Sequence, residues 1–146
     1  MLDLYSRAIL GWKVADTLHT ELVTGALEKA LATGLIAVGA IFHSDRGCQY
    51  SAQKTRALLA QAGLRQSMSA KGYCYDNAFA ESAFATLKAD VLPPEQSFAS
   101  HPVARLALFD YLETFYNRHR RPSALDYQAP NTVFDHYFQN LKPHLN

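Results

Sequence analysis

The stretch VGAIFHSDRG, residues 38–47, decides how this chain is read. Its apolar run, 38–42, is bounded by glycine on one side and by Ser44, Asp45, Arg46 and Gly47 on the other. That is the pattern of a buried parallel strand. Asp45 then falls at the strand's carboxyl end, where open α/β sheets collect their ligands.

On the amino-terminal side, Thr20 is a candidate cap for a helix in which Leu22, Val23, Ala26, Leu27, Ala30 and Leu31 recur at helical spacing until Gly34. Before it, Ile9, Leu10, Trp12 and Val14 follow a turn-like Tyr5, Ser6, Arg7, which predicts the end of one strand, a hairpin turn and a second strand. On the carboxyl side, Ser51 is a candidate cap for a helix holding Ala57, Leu58 and Ala62, Gly63 ends it, and 64–68 is short enough for another strand. Residues 69–75 lack an apolar period and read as a loop. Asp76 can cap a helix with Ala80, Ala83, Phe84, Leu87 and Val91 on one face, stopped by Pro93 and Pro94. A further long helix follows Ser100 and includes Val103, Leu106, Phe109, Leu112 and Phe115.

At 146 residues, 49% apolar and 12% aromatic, the chain suits one α/β domain with an ordinary core. It has no apolar run approaching the roughly 18–20 residues of a membrane span and no signal-peptide pattern, so a cytoplasmic protein with no membrane partner is expected. Cys48 and Cys74 are too few for a disulfide framework and read as reduced thiols. A site built from His43, Cys48 and Cys74 lacks the second ligand pair of a zinc motif. Net charge is +1, but Arg118, His119, Arg120 and Arg121 form a basic run after Phe115, Tyr116 and Asn117. Such a run is either a solvated helix end suited to the helix dipole or a cluster that meets phosphates.

On a helical wheel, Glu81, Lys88 and Asn77 lie within about 40 degrees of one another, opposite the apolar stripe. Taken singly, Glu81 reads as a surface glutamate and Asp45 as a turn aspartate. As a pair they suit phosphodiester chemistry, in which two Mg²⁺ ions activate a nucleophile and stabilise a leaving oxyanion, and hard cations take carboxylate oxygens. Lys88 would then hold a DNA phosphate as a point charge.

The strings HSDRGCQYS at 43–51, SMSAKGYCYDNAFAESAFATLK at 67–88 and YNRHRRPSALDYQAPNTVF at 116–134 resemble the blocks of insertion-sequence transposases with an integrase-type (DDE) core, related to retroviral integrases. The resemblance covers nearly the whole chain, and the 35 residues between Asp45 and Glu81 match the family's separation of its second and third acids. It implies an α/β, ribonuclease H-like core with a mixed sheet flanked by helices over 1–135, and a tail at 136–146. It also implies that Asp45 and Glu81 are catalytic metal ligands for Mg²⁺ or Mn²⁺. Lys88, Lys71, Asn77, Arg118, Arg120 and Arg121 become the residues that approach DNA, and Arg46, Gly47 and Tyr50 candidates for shaping the site.

The family's first acid sits on a strand upstream of the block that matches residues 2–7. These 146 residues are therefore expected to lack the first strand, most of the second and the first carboxylate. Asp3 matches a position near the hairpin turn and not a metal ligand. The expected function is that of a transposase core fragment, cleaving phosphodiesters and transferring strands between transposon ends and target DNA, incompetent alone. The alternative is an inactive remnant that binds DNA non-specifically or joins a second copy or a full-length transposase. A ribonuclease H-like hydrolase shares the fold without these blocks.

Overall fold

The computed structural model describes residues 1–70, 78–95 and 97–141. The chain divides into two compact units, one formed by Met1 with Leu10–Leu87 and the other by Leu2–Ile9 with the chain from Lys88 onward.

In the first unit, α1 (Thr20–Ala32) is followed by β1 (Ile41–Ser44), α2 (Cys48–Ser51), α3 (Gln53–Gln61) and β2 (Arg65–Met68). β1 and β2 pair in parallel, with Ile41 opposite Arg65 and Ser44 opposite Met68. Parallel neighbours need a crossover, and α2 and α3 supply it. Helical spacing on α1 puts Val23, Leu27 and Ala30 on one buried face. Val23 and Leu27 join Phe42 of β1 and Leu59 of α3 in one apolar cluster, edged by Leu31, Tyr50, Leu58 and Leu64. Gly11 lies so close to α1 that a Cβ there would sit 2.3 Å from the Ala26 carbonyl oxygen. Only glycine admits that approach.

Several boundaries differ from the sequence reading. The first strand begins at Ile41 and not at Val38, because Gly39 adopts φ +83°, outside the strand region, and Val38 is 86% exposed. Thr20 is the first helical residue of α1, and His19 is its N-cap, without a side-chain cap. Ser51 closes α2 instead of capping α3, whose N-cap is Ala52. Gly63, at φ +67°, follows the end of α3 as expected.

α4 (Ala78–Val91) contributes residues to both units. Its expected inward stripe is half-buried at Ala80, Ala83, Leu87 and Val91, but Phe84 is exposed. The expected cap Asp76 and most of the loop 69–75 lie outside the described residues.

The second unit contains α5 (His101–Asp110), a π-helical stretch Tyr111–Tyr116, α6 (Asn117–His119), a 3-10 turn Ser123–Leu125 and α7 (Pro130–Leu141). Ser100 caps α5, its hydroxyl accepting from the Val103 N–H at 3.5 Å. Leu112, Tyr116 and Phe134 are buried here. The predicted opening hairpin reduces to one antiparallel bridge, Leu2 with Ile9, rather than two strands. Asp3 closes its turn by accepting from the Ser6 N–H at 2.7 Å and the Ser6 hydroxyl at 2.6 Å. Asn117 holds the hairpin's end, accepting from the Ile9 N–H and donating to the Ile9 carbonyl, both at 2.8 Å. The boundary expected at 135 falls within α7. Among the described residues, no helix is long and apolar enough to cross a membrane.

Candidate active site

β1 ends where Asp45 begins a turn. Its Oδ1 accepts from the Gly47 N–H at 2.8 Å, and Gly47 is the N-cap of α2. This local bond gives the backbone an alternative to continuing the ladder. The carboxylate stands at the carboxyl end of a parallel strand, on an exposed residue.

The residues around it are tightly held. Arg46 donates its Nε–H to the Ser69 carbonyl at 2.8 Å. Ser69, 6% exposed, donates its N–H to the Ser44 carbonyl at 2.9 Å, and its hydroxyl also reaches that oxygen at 3.3 Å. His43 lies across from Ser67 in the β1–β2 register, with Nδ1 2.9 Å from the Ser67 hydroxyl and Nε2 3.2 Å from that of Ser69. Tyr50 accepts at its carbonyl from the Gln66 amide at 2.8 Å. Burial, and then the charge of Asp45, raise its phenol above the ordinary range, so it stays a neutral hydroxyl.

Glu81 is exposed in the first turn of α4 and Lys88 is exposed in its last, an arrangement that also suits the helix dipole. Asp45 and Glu81 thus occupy separate elements of the first unit. Among the described residues, no three His, Cys, Asp or Glu side chains come together as a metal would require. His43 has both ring nitrogens against serine hydroxyls, and Cys48 is an exposed free thiol. Cys74, Lys71 and Asn77 lie outside the described residues.

The basic run is split by its contacts. Arg118 and Arg121 are exposed. Arg120 instead donates its Nε–H to Asp90 Oδ2 at 2.8 Å, and the Tyr111 hydroxyl donates to the same oxygen. Burial would raise the Asp90 carboxyl, but the hydrogen bonds from Tyr111 and Arg120 and the guanidinium charge outweigh it and hold it below the ordinary range. Burial, and then Asp90, push the Tyr111 phenol up and keep it a donor.

A depressed folded pKa stabilises the fold above the unfolded value, near pH 4, and the contribution disappears as pH falls through the folded value. The contribution should be about 1 kcal/mol or less for this partly exposed pair. Urea unfolding from pH 7 to pH 2 is therefore expected to cost the natural chain more stability than Asp90→Asn, with the difference developing below about pH 4. Parallel pH profiles would remove this role for Asp90.

Sequence reasoning missed the His43, Ser67 and Ser69 network and the Asn117 clasp on Ile9. Both join residues by cross-strand register or over long sequence separation, which no local period records. The Asp-x-Gly spacing at 45–47 did announce the turn.

Residues 1–74 match the integrase core domain family, and residues 62–130 match an integrase core domain family again. An integrase core is a ribonuclease H-like α/β fold, with which the parallel β1–β2 pair and its helices agree. The chain is 42% identical over 123 residues to the transposase InsF for insertion sequence IS3A of Escherichia coli (strain K12), covering 84% of this chain and 42% of that protein. It is 36% identical over 129 residues to the transposase for insertion sequence element IS904 of Lactococcus lactis subsp. lactis (strain IL1403), covering 88% of this chain and 51% of that protein. The chain thus spans about half the length of these relatives or less. The chain belongs to the integrase core domain family.

Proposed function

We propose that this chain is the catalytic-core portion of an insertion-sequence transposase, acting in the cytoplasm on transposon ends and target DNA by phosphodiester cleavage and strand transfer. The proposed core is residues 1–135, followed by a tail at 136–146. The observation that carries this reading is an exposed Asp45 on the turn closing a parallel strand, with an exposed Glu81 on α4 of the same unit, in a chain of the integrase family.

Asp45 and Glu81 offer the oxygen donors that hard cations take, and Asp45 is steadied by the Gly47 N–H. Two carboxylates fit part of a two-metal site. Mg²⁺ or Mn²⁺, when bound, supplies activation of the attacking oxygen and stabilisation of the leaving one. Lys88, with Lys71, Asn77, Arg118 and Arg121, is proposed to hold DNA phosphates. Arg120 gives its Nε–H to Asp90, so it is proposed to steady the basic run while its remaining N–H groups meet phosphate.

On this reading the remaining acid of the site is proposed to belong to a strand upstream of residues 2–7, and the 146 residues by themselves are proposed to be incompetent. The test compares the 146-residue chain with a version extended upstream through that strand, on transposon-end DNA with Mg²⁺. Strand transfer is expected in the extended protein alone, and Glu81→Gln should reduce it by about 10²-fold or more. Full activity in the extended Glu81→Gln protein would sink the site assignment. Salt-sensitive, metal-independent DNA binding without transfer in the extended protein would favour the inactive remnant.

A further inference from the structure

We infer that His43 is a positioning residue, holding the turn that carries Asp45 by bridging the Ser67 and Ser69 hydroxyls. The inference rests on the reading of Asp45 as a metal-binding acid.

The register sets His43 opposite Ser67, and Ser69, two residues further on, falls on the same side. The two ring nitrogens of His43 bridge the pair, with Nδ1 2.9 Å from the Ser67 hydroxyl and Nε2 3.2 Å from the Ser69 hydroxyl. The Ser69 hydroxyl, on a buried residue, also lies 3.3 Å from the Ser44 carbonyl.

Ser69 is also where the two neighbours of Asp45 are fastened. Its N–H donates to the Ser44 carbonyl at 2.9 Å, and its carbonyl accepts from Arg46 at 2.8 Å. Asp45 is the residue between these anchors. His43 touches neither Asp45 nor its turn bond to Gly47; it acts by orienting Ser69.

Two amide substitutions separate the ring nitrogens. His43→Gln can place its amide near the Nε2 position and keep a hydrogen bond to Ser69, whereas His43→Asn reaches only the Nδ1 position beside Ser67. Both variants are made first in the 146-residue chain. Exchange of the Ser69 amide proton should quicken about tenfold in His43→Asn and stay within about twofold of the unaltered chain in His43→Gln, the effect of one hydrogen bond. In the upstream-extended protein, kcat for strand transfer should drop about tenfold in His43→Asn with KM for DNA unchanged, and His43→Gln should restore it.

Equal exchange in the two variants, or an equal loss of kcat in both, overturns the proposal. Should the extended Asp45→Asn protein prove fully active, the metal reading fails and takes the positioning role with it. The exchange results would still judge the hydrogen-bond bridge separately.

Discussion

Asp45→Asn is expected to reduce strand transfer by the upstream-extended protein by at least about 10³-fold, equivalent to about 4 kcal/mol of transition-state stabilisation, while leaving the fold almost untouched. Asparagine is isosteric and keeps an oxygen to accept from the Gly47 N–H, so the turn that ends β1 survives. The residue is exposed, and no buried cavity or orphaned donor results. A change in unfolding free energy within about 0.5 kcal/mol follows. What is lost is the negative charge that a hard cation requires. The Tyr50 phenol, raised by burial and then by Asp45, should shift down part of the way toward its ordinary range, since burial remains. Strand-transfer assays run beside urea unfolding check the separation. A large fall in stability would make Asp45 a structural residue, and undiminished transfer would end its assignment as a metal ligand.

Leu27→Ala is the substitution expected to cost the fold most, about 3–4 kcal/mol. Leu27 has no exposed surface and joins Val23, Phe42 and Leu59, so truncation leaves a void among α1, β1 and α3. Domains of this size are stable by only about 5–15 kcal/mol, so a large share of the stability is at stake. Phe42 belongs to the strand that delivers Asp45, and loosening it should reach the turn as well. Urea unfolding followed by circular dichroism measures the effect, with Val38→Ala, at an exposed position, as a control expected to stay within about 0.5 kcal/mol. A loss below about 1 kcal/mol at Leu27 would mean that this cluster is not the core.

The site was legible where chemistry is local. Asp45 at a strand's end, Glu81 on a helix face and the turn at Asp45 and Gly47 can all be read from adjacent residue types and a period of 3.6 or 2. The strand start at Ile41 was harder to read, because hydropathy does not register that Gly39 takes a positive φ. Phe84 continues the apolar stripe of α4 yet is exposed, since periodicity marks a face and not whether something covers it. Arg120 shows the same gap for charge. Four basic residues in a row look alike in sequence, but Asp90 and Tyr111 select one of them, from 30 and 9 positions away.

By itself the sequence determined the α/β class, a helix between Thr20 and Gly34, the parallel strand closed by Asp45 and, through its ordered blocks, the family. These follow from periodicity and turn chemistry, which act over a few residues. Only the tertiary structure decided which apolar residues are buried, that Asn117 clasps Ile9, that Arg120 is tied to Asp90, and that His43 sits between two serines. Those choices depend on which distant groups pack within hydrogen-bonding range, and a buried polar group must find a partner wherever the fold brings one. For Asp45 the division is clear: its turn is written in neighbouring residues, while the anchors on either side of it come from Ser69, just beyond β2 and 24 positions away.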